Sequence, residues 1–405
     1  MEEEEEEGRQ VWSWGAGTEG QLATGNLQDE LFPSNVSHYF SLPISHIACG
    51  GAHAIALTRD GKVMTWGRGK SGQLGHGNWE NSAHPKHVKF LENFVICNAA
   101  AGWNHSGFVS DTGLLFTCGD GSFGQLGHGD YNSQCFPVEV KFFGSRHVLK
   151  ISCGMRHSLV LLKGQAMDPL YGFGSVKHAQ LGNAVGRSTK SFSLPQLIHG
   201  FEDLNISTMT ANGDQSAALS VDGHLYTWGR GFNRAKHNQV PQLLSTSLKF
   251  SQVSLGWNHA LLLTDLGEVF MLGGNHHGKL SGSESAPMEQ GRPLNCATCD
   301  KTHEANTVPS MQRVAALEGI KVVQVATGSE HSAIVSESGV VMTWGWGEHG
   351  QLGLGNTCDQ TIPQVVHLDR GQLRCRKVEV YCGSGFTFVS NTALNANTSD
   401  LSLPS

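Results

Sequence analysis

No run in the 405 residues approaches the ~18 consecutive apolar residues of a membrane-spanning helix, so no membrane partner is expected. There is no basic excess either: 28 Lys and Arg stand against 35 Asp and Glu, a net charge of −7. Glu2 to Glu7 supply six of the acids, and without them 29 acidic residues face 28 basic ones. A body that close to neutral does not draw phosphate backbones by bulk charge, and direct nucleic-acid binding is not expected. Catalytic signatures are missing as well. The chain has no Gly-x-Ser-x-Gly elbow, no Walker loop and no His-Glu-x-x-His. Gly67, Gly69 and Gly72 do form a Gly-x-Gly-x-x-Gly, but it follows a strand without opening a helix, and it recurs; it is turn chemistry, not a dinucleotide site. No catalytic residue and no cofactor is expected. The ten cysteines follow a repeat rather than a disulfide framework, and the acidic N-terminus is the opposite of a secretory or transit signal, so a soluble protein of a reducing compartment is expected.

What the chain has in quantity is glycine, 51 residues of it, without a collagen period. Such a content implies many tight turns between short strands. The turns are periodic. Gly50-Gly51-Ala52-His53 is followed by Gly102-Trp103-Asn104-His105 and Gly154-Met155-Arg156-His157, each histidine 52 residues after the last. Gly256-Trp257-Asn258-His259 lies 102 residues further on, leaving room for one unit between, which is read as Gly213-Asp214-Gln215-Ser216 with Ser in place of His. Gly328-Ser329-Glu330-His331 and Gly383-Ser384-Gly385-Phe386 complete seven copies. Each opens a β-hairpin such as Ala54 to Thr58, a turn at Asp60-Gly61, and Lys62 to Gly67. A Gly-rich loop follows, in its fullest form Trp66-Gly67-Arg68-Gly69-Lys70-Ser71-Gly72-Gln73-Leu74-Gly75. The copy after Trp228 has lost its Gln-Leu-Gly and reads Phe232-Asn233-Arg234-Ala235.

About four short strands per ~50-residue unit is the pattern of propeller blades. The expected fold is all-β: a seven-bladed β-propeller of four-stranded blades. The ring is closed by pairing an N-terminal strand, Val11 to Trp14, with a C-terminal one, Phe386 to Val389, which removes the open edge. The expected organisation is an acidic disordered arm over 1–9, the propeller over 10–390 with a loop insertion at 275–312, and a disordered tail over 391–405.

These hairpins and loops resemble the regulator-of-chromosome-condensation repeat over roughly residues 10 to 390. The resemblance implies a rigid propeller that binds proteins through loops of one face, and a nuclear and/or cytoplasmic location. It also implies partners such as a small GTPase or chromatin and transcription proteins. Members of the family exchange guanine nucleotide on Ran or sense UV-B light in plants. Here the insertion is Gly/Ser/Pro-rich rather than strand-like and the arm is acidic, both departures from the Ran exchange factor. The Gly-Trp-Arg-His-Thr motifs of the light sensor are replaced by Gly102-Trp103-Asn104-His105-Ser106 and Gly256-Trp257-Asn258-His259-Ala260, without the arginine and not in adjacent blades. The reading taken forward is a non-enzymatic interaction scaffold, with nucleotide exchange as the alternative and light sensing disfavoured. The sequence does not set an oligomeric state.

Within that frame, His53, His105, His157, His259 and His331 are read as structural, each imidazole tying its blade to neighbouring backbone because a buried polar group must be hydrogen-bonded. Cys49, Cys153 and Cys382 precede the repeat glycine where other units hold Ala101, Asn212, Leu255 and Thr327, so they are read as small buried side chains. Trp66, Trp228 and Trp344 are assigned to the core. Trp103, Trp257 and Trp346 are the candidates for an interface, since tryptophan is a common anchor. No metal is expected. Cys296, Cys299 and His303 come nearest to zinc-ligand spacing, but no second Cys-x-x-Cys follows.

Overall fold

A computed structural model describes residues 10–40, 42–164, 169–183, 189–232, 237–273, 311–368 and 376–393. It contains seven four-stranded antiparallel sheets. In the first blade, His53–Thr58 pairs on one side with Ile44–Cys49 and on the other with Val63–Gly67, which in turn pairs with the outer strand Ser82–His87. Blades 2 to 6 repeat this over residues 96–139, 148–197, 206–243, 250–313 and 322–365. The seventh, closing blade is built from both ends of the chain. Gln10–Gly15 and Glu30–Asn35 join Arg376–Cys382 and Phe386–Ala393, with Trp12 opposite Val389 and Trp14 opposite Thr387. The seven-bladed ring and its closure are those expected from the repeat. One detail differs: Met311–Arg313 forms the outer strand of blade 5, so Met311 and Gln312, placed in the insertion by sequence, belong to the blade.

Burial explains why the pattern folds this way. The second strand of each of blades 1 to 6 is buried at every position, because it is covered by blades on both sides. The core is not one cluster but one per junction; Trp66, Ile47 and Ala54 of blade 1, for example, pack with Phe386 and Phe388 of the closing blade. The outer strands of every blade but the fifth carry a proline (Pro33, Pro85, Pro137, Pro195, Pro241, Pro363), which blunts an exposed sheet edge against further pairing. The Gly-x-x-His loops and the Gly-rich loops gather on one face, here the upper face; the hairpin turns lie on the other.

The histidines explain how the junctions are held. His53 Nε2 lies 2.9 Å from Ser106 Oγ of the next blade, and His105 with Ser158, His157 with Ser216, His259 with Ser332 and His331 with Thr387 repeat the contact at 2.9 to 3.0 Å. The tie therefore runs to a side-chain hydroxyl, where backbone was expected. The hydroxyl passes it on: Ser106, Ser158, Ser216 and Thr387 donate to the main-chain carbonyls of Gln73, Gln125, Gln180 and Gln351 in the Gly-rich loops. A hydroxyl has one proton, so at these junctions the imidazole is the donor and carries its proton on Nε2. The loop carbonyl of Gln180 accepts a second bond from Trp228 Nε1 at 2.9 Å, and that of Gln351 one from Trp14 Nε1 at 2.9 Å. The repeat glycine is required because a Cβ on Gly50 would lie 2.7 Å from the His53 ring, and one on Gly154 2.3 Å from the His157 ring.

Blade 4 corrects the sequence register. Gln215 pairs with Gly229 as His53 pairs with Gly67, so Gln215, not Ser216, stands in the histidine slot, and Ala211 rather than Asn212 matches Cys49. The misreading came from anchoring the unit on Gly213; the repeat-glycine slot is filled by Asn212, which needs no clearance for an imidazole.

The buried imidazoles give the fold a pH dependence. Burial pushes His53 and His157 down from 6.5 to about 3 and His105 to about 4. The folded protein keeps these rings neutral while the unfolded chain binds protons below its ordinary histidine pKa, so stability is full above about pH 7 and is lost as pH falls from about 6.5 toward 4. Three such groups contribute a slope of roughly 4 kcal/mol per pH unit in that window. Urea unfolding followed by tryptophan fluorescence at pH 7.5, 6.5 and 5.5 is expected to show this steep loss; a flat profile would contradict neutral buried rings.

Candidate functional site

The upper face is organised around the ring axis. There the residue after the repeat glycine of one blade donates its main-chain N–H to a carbonyl of the next: Gly51 to Gly102, Trp103 to Gly154, Met155 to Gly213, Trp257 to Ser329, Ser329 to Ser384, and Ser384 to Gly50, at 2.8 to 3.1 Å. Between blades 4 and 5 a side chain substitutes. Gly213 N–H bonds Asn212 Oδ1, and Asn212 Nδ2 reaches the Leu255 carbonyl. This belt fixes the backbone from which the candidate side chains project.

Trp103 and Trp257 come from blades 2 and 5, which are not neighbours, yet their rings meet over the axis with centroids 5.2 Å apart at 43°. Both are partly exposed. Gly51 and Gly213 make room for them: a Cβ on Gly51 would lie 3.0 Å from the Trp103 ring and one on Gly213 3.1 Å from Trp257. Beneath the pair is an axial cavity of about 70 Å³ lined by repeat glycines and by Cys49, Cys153 and Cys382. Burial raises all three thiols, Cys153 and Cys382 to about 12, which leaves them protonated and unreactive. Cys153 is buried, whereas Cys49 and Cys382 keep some exposure to the channel. At the lower end the channel opens into a cavity of about 530 Å³ lined in part by His46, Gln252, Gln324 and Tyr381. There Gln252 and Gln324 each bond both the N–H and a carbonyl of the neighbouring inner strand, so those polar groups hold blades together.

Trp346 lies further out on the same face. Its N–H is bonded to the Glu330 carbonyl, its indole Nε1 donates to Glu348 at 3.2 Å, and its ring meets His349 edge-on at 5.2 Å. Glu330 in turn accepts from Asn258 Nδ2 at 2.8 Å, linking Trp346 to the loop of Trp257. The three interface candidates thus share one face, with two in contact and the third one loop away. Trp66, Trp228 and Trp344 are buried, as assigned. Met155, Arg156, Asn258 and Glu330 were passed over, although they occupy the same two loop positions before the repeat histidine as Trp103 and Asn104. Arg156 is held over the Phe123 ring at 4.7 Å. Cys296, Cys299 and His303 lie outside the described residues, and among the described ones no group of His, Cys, Asp or Glu is arranged to hold a metal. Nor, among them, is any helix long and apolar enough to cross a membrane.

The contact over the axis has a measurable consequence. Aromatic pairs of this geometry couple by about 0.5–1.5 kcal/mol beyond their burial. A double-mutant cycle of Trp103→Ala and Trp257→Ala in urea unfolding is expected to return a coupling in that range, and additive losses would show that the rings do not support each other.

Comparison with known proteins agrees with this architecture. The RCC1-like domain model matches residues 10–389. The ultraviolet-B receptor UVR8 of Arabidopsis thaliana is 33% identical over 286 residues, 69% of this chain but only 64% of the receptor, so the chain spans less than two thirds of that relative. The secretion-regulating guanine nucleotide exchange factor of Bos taurus is 29% identical over 399 residues, covering 93% of this chain and 82% of the factor. Among solved structures, Prp20p from Saccharomyces cerevisiae superposes with a TM-score of 0.77 at 22% identity, over 96% of this chain and 92% of Prp20p.

Proposed function

The chain belongs to the RCC1-like domain family, and on that premise we propose that it is a non-enzymatic platform that binds partner proteins through its upper face. The observation that carries this reading is the Trp103–Trp257 pair, held partly exposed at the axis of a rigid hydrogen-bonded belt. Large aromatics kept near the centre of a fixed surface are the usual energetic anchors of protein interfaces. The loops around them differ from blade to blade while the strands repeat, the division expected where a scaffold is constant and recognition is local.

Guanine-nucleotide exchange on a small GTPase is the second reading. It is favoured by the similarity to the secretion-regulating exchange factor, which extends over 93% of this chain and 82% of the factor. Prp20p, alike in fold, has been studied for its binding to Gsp1p and histones, which keeps a GTPase or chromatin partner in view. Light sensing is not favoured. Among the described residues the cations stacked on rings are Arg146 and Arg156, over Phe and Tyr rings, and no arginine is stacked on Trp103 or Trp257. A nuclear and/or cytoplasmic location is proposed on the family resemblance.

The test is affinity capture from native extract with the wild-type chain beside a Trp103→Ala, Trp257→Ala, Trp346→Ala variant shown by circular dichroism to stay folded. Loss of the captured proteins in the variant is the expected result. A small GTPase among those lost would move exchange to first place and make nucleotide-release kinetics the next measurement. Partners retained by the folded variant would contradict the choice of face.

A further inference from the structure

The charges of the upper face are sorted by blade. In the loops of blade 6 and the closing blade the charged side chains are Glu330, Glu348, Asp359, Glu19 and Asp29, with no Lys or Arg. In the described loops of blades 3 and 4, across the axis, they are Arg156, Lys177, Lys190 and Arg230 against the single acid Asp214. Blade 1 is mixed, with Arg68, Lys70 and Glu80, and blade 2 carries the two acids Asp120 and Asp130 next to the basic blades.

Local pairing reduces this asymmetry without removing it. On the acidic side His349 Nδ1 lies 2.9 Å from Asp29, and Arg68 of blade 1 stands 4.0 Å from Glu19. Glu348 is exposed, as are Asp29 and Asp359. On the basic side His178 and Gln180 contact Asp214, while Lys177, Lys190 and Arg230 are exposed. Each group of like charges lies on adjacent blades, and the two groups face each other across the ring rather than interleave, so each half keeps its own sign. The Trp103–Trp257 pair marks the axis between them.

We infer that the upper face takes a partner protein with a polarised contact surface: lysine- and arginine-rich where it meets blade 6 and the closing blade, acidic where it meets blades 3 and 4. This rests on the proposed platform reading and adds to it the orientation and charge of the occupant. Trp346, inside the acidic half with its indole N–H on Glu348, offers a ring for a cationic side chain beside a carboxylate. The opposite orientation would bring like charges together in both halves, which is how a surface rejects a wrong docking pose. A uniformly anionic ligand such as a nucleic acid would be repelled by half of the face.

Two labelled peptides, nona-lysine and nona-glutamate, probe the halves separately by fluorescence anisotropy at low salt. The full chain carries Glu2 to Glu7 changed to Gln, so that the arm does not compete for the cationic peptide. Glu348→Lys is expected to weaken nona-lysine binding about fivefold and leave nona-glutamate no weaker, and Lys177→Glu with Arg230→Glu to do the reverse, an effect of the size local charge reversal has on steered binding. Both peptides responding alike to the two reversals, or neither responding, would overturn the polarity. If that happened while partner capture still depended on the three tryptophans, the platform would stand without it. If the peptides behaved as expected while capture ignored the tryptophans, the platform would fall instead.

Discussion

The relay from imidazole to hydroxyl to loop carbonyl is the constraint on which the ring depends. It is local to each junction and either present as a pair or absent as a pair. Five blades carry the histidine, and each faces Ser106, Ser158, Ser216, Ser332 or Thr387 in the next blade. The two blades without it, at Gln215 and Phe386, are followed by Ala260 and Ala54 at the hydroxyl position. An imidazole buried without a partner costs the desolvation of its N–H, roughly 1–3 kcal/mol, so loss of the hydroxyl and loss of the ring go together. Phe386 with Ala54 replaces the relay by apolar packing against Trp66 and Ile47. The junction after blade 4 is less complete. Among the described residues the buried Gln215 amide has no hydrogen-bond partner at either end, and Leu272 stands where four other blades place a tryptophan.

The same relay positions the loops of the upper face. Because the loop carbonyls and the axial belt are held by main-chain groups and buried side chains, the residues between repeat glycine and histidine are free to differ. They are Gly51-Ala52, Trp103-Asn104, Met155-Arg156, Gly213-Asp214, Trp257-Asn258, Ser329-Glu330 and Ser384-Gly385. The fold thus separates a junction chemistry that recurs at five of the seven blades from a variable ring of side chains that carries the aromatic pair, with most of the charges of that face in the Gly-rich loops around it.

Much of the fold was legible because the period and turn chemistry repeat seven times. Gly-x-x-His located the blades, and the split hairpin at Val11 to Trp14 and Phe386 to Val389 located the closure. The histidine partners were legible too but were missed: each histidine is served by a hydroxyl one position after the histidine slot of the next blade, a relation visible only once units are read in neighbouring pairs. Blade 4 misled because Gly213 resembles the repeat glycine while Asn212 fills that slot. The meeting of Trp103 and Trp257 was not legible. It depends on ring geometry that brings two loops 154 positions apart to one axis, and nothing in either motif encodes the other. The three interface candidates share a face because Trp103 and Trp257 lie in Gly-x-x-His loops and Trp346 in a Gly-rich loop, and both kinds of loop open on the upper side of the ring.

Imidazole and hydroxyl act as one unit across the junction. A double-mutant cycle of His105→Ala and Ser158→Ala, read by urea unfolding at pH 7.5, tests it directly. The second substitution is expected to cost little once the first is made, with a coupling of about 1–2 kcal/mol for a buried hydrogen-bonded pair. Strictly additive losses would mean that the histidine is held by packing alone, and the relay would not be what fastens the blades.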